Sequence, residues 1–428
     1  MKLLALTYGT EGDTRPLAVL CRALMDAGHD VTLLADAATL GSARSLEVPH
    51  AALSGNMKDE LSALVSSGKG VNATAAGLAR IANAQAHSWM QQIAQAAIGC
   101  DGLIVSGLAA FVGLSVGEHL GIRVIGTGLI PISPTHAFAS PFLPPRWIPA
   151  VLNRTSHQAV NSLLWRAFRK ATNQARRSVL SLLPREKPWT EHPMLYGVSP
   201  ALVPEPRDWP AHTRLCGQWL APADSWAPPA ALKAFLDAGE PPVYLGFGSM
   251  VGFDQKAMLD VFMDAAKGLR VLLYPGWSGT PDMVMPDNFF IIEETPHQWL
   301  FPRTSLVIHH GGSGTTHSAC RAGVPSVVLP FAGDQFFWAH QLNRLGVAGH
   351  AVSTRKLDRE KLKQAIRFAQ RAETRERASA LGQHMARETG TATAVAEIET
   401  ILGVSTDSET NDQGGESSMN RIDESHRR

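Results

Sequence analysis

Residues 305–329 of this 428-residue chain hold two short apolar runs separated by glycines and a short polar stretch. The β-branched run at 305–308 predicts a buried strand, 315–322 predicts a helix, and 326–329 predicts the next strand. The turn and the helix end are marked by Gly311, Gly312, Gly314, Gly323 and Pro325. Strand, glycine turn, helix and strand in this order form the repeating unit of a parallel α/β sheet.

The helix of this unit begins where an anion can bind. The first backbone N–H groups of a helix have no partner inside it and lie at the positive end of its dipole. Ser313 and Thr315 add hydroxyl groups there, and His310 adds an imidazole N–H from the strand end. A tight turn without a ligand is the alternative interpretation of the glycines alone.

A second polar cluster follows one strand later, at Gly333, Asp334 and Gln335. It lies at the carboxyl end of the neighbouring predicted strand, which is where open α/β sheets bind ligands. A carboxylate and an amide side by side suit the adjacent hydroxyl groups of a sugar. The two clusters together favour a pocket for a nucleoside diphosphate sugar.

At these residues the chain resembles a family 1 glycosyltransferase of the GT-B fold. Segments 295–301, 309–316 and 333–335 are similar to those of sterol 3-β-glucosyltransferases and glycopeptide-aglycone glucosyltransferases. The resemblance implies that His310 and the turn of Gly312, Ser313, Gly314 and Thr315 hold the diphosphate, and that Asp334 and Gln335 bind the sugar. Plant relatives have a uracil-stacking Trp near Glu294 and a ribose-binding Glu at Ser318, so this chain departs from them at the nucleoside.

Four further residues are candidates on the donor side. Ser249, after the glycines at 246–248, resembles a family residue whose hydroxyl contacts a phosphate, with a plain strand-to-helix turn as the alternative. Trp277 resembles a residue that lines the nucleoside end, with core packing as its alternative. His297 matches a segment whose backbone meets the base, or is a surface residue. Trp338 contacts the sugar or packs under the loop.

The first loop, residues 9–16, supplies the candidate catalytic base. Read without the resemblance, Asp13 precedes a helix beginning at Pro16 and is an N-cap. Relatives carry a catalytic acid or His at this position, so the resemblance implies that Asp13 removes the proton of an acceptor hydroxyl as it attacks. One base and one attack imply inversion at the anomeric carbon. Glu11 and His136 are the rival bases.

The acceptor side is predicted from an aperiodic loop at 132–145. This loop contains His136, Phe138 and Phe142 among several prolines, which indicates an apolar acceptor. Gly12, beside the proposed base, is predicted to contact the same acceptor.

Residues 146–177 combine tryptophans and leucines with arginines and lysines. This pattern is typical of a basic amphipathic helix that lies on an anionic bilayer, and a solvated helix on the protein surface is the alternative. The membrane interpretation predicts a peripheral contact through which a lipid acceptor is reached.

Charge and cysteine content exclude several classes of function. The formal net charge is +1, so there is no excess of Lys and Arg to displace counterions from nucleic acid. The four cysteines, Cys21, Cys100, Cys216 and Cys320, are scattered and predict neither disulfides nor a zinc site. The N-terminus lacks a signal-peptide pattern and no apolar run reaches membrane-spanning length, so we expect a cytoplasmic protein.

The alternation of strands and helices predicts an α/β protein with two doubly wound, Rossmann-like domains that face a cleft. We expect an acceptor-binding domain over 1–202, a Pro- and Trp-rich linker over 203–242, and a nucleotide-sugar-binding domain over 243–403. The last helix of the second domain is expected to return to the first. The polar tail 404–428 has almost nothing to bury and is predicted to be disordered.

The resulting hypothesis is an inverting hexosyltransferase, with UDP-glucose as the expected donor and a sterol-like lipid or secondary metabolite as the acceptor. No D-x-D motif stands where a metal would bridge the diphosphate, so no metal or other cofactor is expected. Two alternatives remain: a nucleotide-sugar 2-epimerase on the same scaffold, and a non-catalytic auxiliary subunit.

Overall fold

The computed structural model describes residues 1–56, 71–221, 226–248, 254–276, 279, 283–354 and 357–403. The predicted site residues Ser249 and Trp277 and the predicted tail 404–428 lie outside the described residues. The described chain forms two parallel sheets with helices packed on their faces, which confirms the predicted fold class.

The first sheet has seven described strands in the order β3-β2-β1-β4-β5-β6-β7, all parallel. Side chains of β1 alternate between two cores, with Leu4 and Leu6 packed on one face and Leu3 and Ala5 on the other. The strands are β1 (Lys2–Leu6), β2 (Asp30–Asp36), β3 (His50–Leu53), β4 (Gly102–Val105), β5 (Arg123–Gly128), β6 (Met194–Tyr196) and β7 (Thr213–Leu215).

The second sheet has five described strands in the order β10-β9-β8-β11-β12, also parallel. Its strands are β8 (Val243–Gly246), β9 (Val271–Tyr274), β10 (Phe289–Ile291), β11 (Leu306–His309) and β12 (Ser326–Val328). The strand order reverses between β8 and β11, as it does between β1 and β4 in the first sheet. Loops leave such a reversal point in opposite directions and open a crevice there.

Helices connect the strands in both halves. Those before the second sheet are α1 (Glu11–Asp26), α2 (Gly41–Ser45), α3 (Val71–Ala96), α4 (Ala110–Leu120), α5 (Asn153–Leu180) and α6 (Ala230–Asp237). Those that follow are α7 (Gln255–Ala265), α8 (His297–Leu300), α9 (Ser313–Arg321), α10 (Gln335–Arg344), α11 (Arg359–Ala369), α12 (Ala372–Ala386) and α13 (Gly390–Leu402). Asp254 caps α7, because its carboxylate accepts a hydrogen bond from the backbone N–H of Ala257.

The last described helix, α13, packs on the first sheet rather than on the second. Ala394 and Ile398 are fully buried in the same core as Leu17 and Leu20 of α1. The chain therefore crosses between the two halves a second time, and the two crossings tie the halves together.

Two sequence-based expectations were wrong in detail. The stretch 203–242, predicted as a linker, contains strand β7, which extends the first sheet, and helix α6. The strand was missed because three residues are too few to show a period. The first helix begins at Glu11 rather than at Pro16, because Thr10 caps it and Pro16 lies inside it.

The four cysteines are buried and unpaired, as predicted. Each is a small side chain in a core or at its edge, and burial raises the pKa of the thiols of Cys21, Cys216 and Cys320 to about 12.

Candidate active site

The turn between β11 and α9 requires glycine at two positions. Gly311 has a φ of +91°, and a Cβ there would lie 2.8 Å from a methyl group of Val328. A Cβ on Gly312 would lie 2.4 Å from Nε2 of His310. The backbone can therefore approach the end of β11 closely, and α9 begins directly beyond it with exposed Gly314 in its first turn. A group placed over this turn meets backbone N–H donors.

His310 is buried against this turn. Burial lowers the pKa of its imidazole to about 4, so the ring is neutral at neutral pH. Its Nδ1 atom has no hydrogen-bond partner within the described residues. A neutral imidazole with an unpaired ring nitrogen beside a helix N-terminus can donate to, or accept from, a bound ligand.

His309, which the sequence analysis did not single out, shapes the same turn. The backbone N–H of Gly311 donates to Nδ1 of His309 over 3.1 Å, which leaves the proton on Nε2. Burial lowers the pKa of this imidazole to about 3, so it too is neutral. The signal in the sequence was the doubled His before the glycines, of which only the second was considered.

Ser313 connects this turn to the first half of the molecule. Its hydroxyl donates to the carbonyl of Leu129, beyond the end of β5, over 2.8 Å. In this arrangement the hydroxyl predicted to face a phosphate is engaged by the protein. Thr315, in the same turn of α9, is half-buried.

A buried chain of hydrogen bonds supports α9 from behind. His317 donates from Nδ1 to the carbonyl of Ser313 over 2.7 Å, and its Nε2 accepts from the backbone N–H of Ser199 over 3.1 Å. The hydroxyl of Ser199 in turn donates to Oε1 of Glu388 over 2.5 Å. Sequence reasoning missed these three residues, although the spacing of Ser313 and His317 places both on one face of α9.

Asp13 lies in the first turn of α1, at its third helical position. Its Oδ2 accepts a hydrogen bond of 2.8 Å from the backbone N–H of Thr10. The N-cap is Thr10, so the interpretation of Asp13 as the N-cap was wrong. Burial raises the pKa of this carboxyl above its usual value. A Cβ on Gly9 would lie 2.3 Å from Oδ2, so Asp13 folds back over the loop that leaves β1.

Asp334 and Asp13 approach each other from opposite halves of the chain. Burial raises the pKa of Asp334 to about 6, and the negative charge of Asp13 contributes to that rise. The indole N–H of Trp338 donates to Oδ2 of Asp334 over 2.8 Å and favours its ionised form. One carboxylate at the start of α1 and one at the N-cap of α10 therefore lie within electrostatic range of each other.

Gln335 and Trp338 hold the loop that carries Asp334. Oε1 of the buried Gln335 accepts from the backbone N–H groups of Phe331 and Ala332, over 2.7 and 3.1 Å. Trp338 is fully buried, so of its two predicted roles the structure has it packing under the loop. Gln335 and Trp338 thus hold the loop of Asp334 and its carboxylate in position.

The expected nucleoside end is lined by rings. His297 stacks on Phe301, with ring centroids 4.3 Å apart and planes at 16°, and its edge meets Tyr244. Burial lowers the pKa of His297 to about 4, and the positive charge of Arg15 lowers it as well. The carboxylate of Glu294, close by in sequence, forms an ion pair with Arg15 of α1.

The two rival bases are placed differently from Asp13. The carboxylate of Glu11 accepts hydrogen bonds from the hydroxyl of Ser42 and from Arg15. His136 is exposed, and its backbone N–H donates to Asp208 over 2.9 Å. Gly12 is exposed in the first turn of α1, beside Asp13.

On the predicted acceptor side, the loop 132–145 borders a cavity of about 320 Å³. Phe138 lines it and packs on Phe337 of α10, with ring centroids 5.4 Å apart. Asn153 and Arg344 place polar groups in the same wall. Phe142 does not line this cavity and is 37% exposed.

The predicted amphipathic helix corresponds largely to α5. Its Trp165 and Phe168 are buried in the first half of the molecule, and Arg176 is paired with Glu118 over 2.8 Å. Much of its apolar face is therefore already covered by protein. Within the described ranges, no helix combines the length and the apolar character that a bilayer crossing requires.

Comparison with known proteins identifies the family. Residues 275–401 match the family described as Erythromycin biosynthesis protein CIII-like, C-terminal domain. A sterol 3-beta-glucosyltransferase of Arabidopsis thaliana is 30% identical over 415 residues, which cover 92% of this chain and 67% of that protein. The chain belongs to the family of these glycosyltransferases. It is an enzyme of the glycosyltransferase class, as the resemblance at 295–335 predicted.

Fungal members of the family are much longer than this chain. The sterol 3-beta-glucosyltransferase of Leptosphaeria maculans is 29% identical over 93% of this chain but only 28% of its own length. That of Emericella nidulans is 30% identical over 93% of this chain and 30% of its own length. The chain thus corresponds to less than a third of these fungal relatives.

Solved structures of similar fold cover nearly the whole chain. The glycotransferase of kitacinnamycin has a TM-score of 0.68 at 18% identity and covers 94% of this chain and 99% of its own. Glycosyltransferase VinC, solved with dTDP, has a TM-score of 0.65 at 17% identity over 94% of this chain and 99% of its own. These likenesses confirm the GT-B fold of two facing Rossmann-like halves.

Proposed function

We propose that the protein transfers a hexose from a nucleoside diphosphate sugar to a hydroxyl of a hydrophobic small molecule, with inversion and without a metal. Glucose, UDP-glucose and a sterol-like acceptor are the specific reactants we infer, since its relatives of 30% identity are named sterol 3-beta-glucosyltransferases. The observation that carries the proposal is the hydrogen bond of 2.8 Å from Ser313 to Leu129, which joins the first turn of α9 to the first half, while Asp13 and Asp334 lie within electrostatic range of each other.

In the proposed reaction Asp13 is the general base. Its carboxylate takes the proton of the acceptor hydroxyl while the acceptor oxygen forms a bond to the anomeric carbon. The bond from that carbon to the diphosphate oxygen breaks, and its electron pair leaves with the diphosphate. Because burial raises the pKa of Asp13, the carboxylate is a stronger base than an exposed aspartate. Attack opposite the leaving group inverts the anomeric carbon.

The leaving diphosphate would be stabilised by the β11–α9 turn. Backbone N–H groups of the first turn of α9 and the neutral ring of His310 supply fixed dipoles where negative charge grows. Asp334, held by Trp338, would accept hydrogen bonds from sugar hydroxyls, and Gln335 shapes its loop. Phe138 and the cavity beside it suit an apolar acceptor.

Donor binding and product formation test the proposal. Stabilisation against thermal unfolding is measured with a panel of uridine and thymidine diphosphate sugars, and we expect UDP-glucose to raise the melting temperature most. Release of UDP is then followed with a sterol and with a polycyclic phenol as acceptors, with and without a chelator. Absence of stabilisation by every nucleotide sugar would exclude a donor site, and loss of activity in the chelator would exclude the metal-free reaction.

A nucleotide-sugar 2-epimerase is the second candidate, because two carboxylates, Asp13 and Asp334, lie within electrostatic range of each other. The two reactions differ in their need for an acceptor. Proton NMR of UDP-glucose incubated with the enzyme alone would reveal a 2-epimer if the second candidate were correct. We expect unchanged donor until an acceptor is added.

A further inference from the structure

None of the residues that the sequence predicts to bind the donor has a permanently charged cationic side chain. The residues predicted to bind the donor are serine, threonine, glycine, histidine, tryptophan, aspartate and glutamine. Burial lowers the pKa of His297 and His310 to about 4, so neither imidazole carries a charge at neutral pH. The described candidate residues of this half would therefore offer a diphosphate dipoles rather than positive charge, while Asp13 and Asp334 add negative charge nearby.

A cation does reach this region from the other half of the molecule. Arg15 lies two residues after Asp13 in α1, and its guanidinium forms an ion pair with Glu294, in the segment before α8. It also lies 3.4 Å from Glu11. The charge of Arg15 acts on two rings of the second half. It adds to the effect of burial in lowering the pKa of His297, and it opposes the rise that burial and Glu294 cause in the pKa of Tyr274.

We propose that Arg15 binds the diphosphate of the donor and that Glu294 occupies the guanidinium until the donor arrives. This inference rests on the proposed function. It assigns to the first half of the molecule both the base, Asp13, and the cation that balances the leaving group. Asp13 and Arg15 are separated by a single residue at the start of α1, so the placement of that helix fixes the positions of both side chains.

The exchange of partners is energetically reasonable. The side chains of Arg15 and Glu294 are 50% and 66% exposed, and an ion pair in that environment contributes little to stability. A guanidinium binds phosphate through two parallel N–H donors, which is a stronger arrangement than one contact with an exposed carboxylate. Breaking the ion pair with Glu294 would thus cost the donor little binding free energy.

The competing explanation is that the ion pair only bridges the two halves. The two explanations predict different directions for the effects of two substitutions on UDP binding. If the pair only joins the halves, Arg15→Gln and Glu294→Gln break the same contact and act in the same direction. If Glu294 competes with the diphosphate for Arg15, Arg15→Gln weakens UDP binding, whereas Glu294→Gln leaves it equal or stronger. Combining both substitutions should then behave as Arg15→Gln alone.

Isothermal titration calorimetry of the full chain with UDP, UMP and uridine tests this assignment. For Arg15→Gln we expect roughly 10-fold or greater loss of UDP affinity, the scale of one charge-assisted contact, with uridine affinity unchanged. Arg22→Gln, which breaks the 2.6 Å ion pair with Asp26 on the same helix, is the matched control and should bind UDP as the parent protein does.

Three results would overturn the assignment. These are unchanged UDP affinity in Arg15→Gln, an equal loss for uridine, and a loss in Glu294→Gln similar to that in Arg15→Gln. If the parent protein itself bound no nucleoside diphosphate, the proposed function would fail first. Normal parent binding with an unaffected Arg15→Gln would remove the role of Arg15 alone.

Discussion

The indole Nε1 of Trp338 lies 2.8 Å from Oδ2 of Asp334, and this hydrogen bond joins a fully buried ring to a carboxylate at the crevice. The bond favours the ionised form of a group whose pKa burial raises to about 6. Trp338 is therefore a positioning residue: it acts on the proposed sugar-binding carboxylate and need not touch the sugar itself.

Replacing Trp338 by Phe should shift the pH dependence of the reaction. Without the indole donor the pKa of Asp334 rises, so a higher pH is needed to ionise it. We expect the acid limb of kcat/KM to move up by roughly one pH unit, the equivalent of one hydrogen bond to a charged group. A pH profile with UDP-glucose measures this shift. Trp147→Phe, at a 79% exposed ring, is the control, and an unmoved limb would limit Trp338 to packing.

Asp334→Asn should stabilise the fold while lowering activity. The raised pKa means that the folded state holds the proton of Asp334 more tightly than the unfolded state does. Its contribution to stability therefore falls as pH rises from 3.8 to about 6 and stays low above that. Removing the charge should raise the free energy of unfolding at pH 7.5 by roughly 1–3 kcal/mol.

Urea unfolding of Asp334→Asn and the parent protein at pH 4 and pH 7.5 measures this difference. The gap between the two proteins should be small at pH 4, where the carboxyl of the folded parent protein is protonated. An equal difference in the free energy of unfolding at both pH values would show that the charge of Asp334 does not cause the stabilisation.

Asp13→Asn should abolish transfer and preserve donor binding. An amide cannot take the acceptor proton, so kcat should fall by about 10²–10⁴-fold, the usual contribution of a general base. The amide oxygen can still accept from Thr10, which keeps the start of α1 intact. Turnover and UDP affinity are measured together, with Asp26→Asn at the end of the same helix as control. Turnover close to the parent value would place the base elsewhere.

Contact with an anionic bilayer remains a prediction, and the structure leaves large apolar side chains exposed just before α5. Trp147 and Val151 are 79% and 83% exposed beside the loop at 132–145, whereas Trp165 is buried. Flotation with vesicles containing phosphatidylserine should retain the parent protein at low salt. The double substitution Trp147→Ser and Val151→Ser should lose most of that retention. Absence of parent protein from the vesicle fraction would contradict the prediction.

Much of the second half could be predicted because its signals are local. The strands at 305–308 and 326–329 and the helix between them were found to within two residues, since glycines and β-branched runs act over a few positions. Local signals failed at β7, where three residues carry no period, and at α1, where Pro16 was taken as a beginning.

The candidate site, too, has features that local sequence predicts and features that depend on tertiary contacts. The sequence by itself determined the α/β class, the glycine turn before α9 and the resemblance that identified the family, because each depends on residues close together in the chain. Only the tertiary structure decided that Asp13 lies within electrostatic range of Asp334, that Arg15 meets Glu294 across 279 positions, and that Ser199 supports His317 across 118. Such contacts depend on how two separately folded sheets pack, and no short-range preference of a residue encodes that packing.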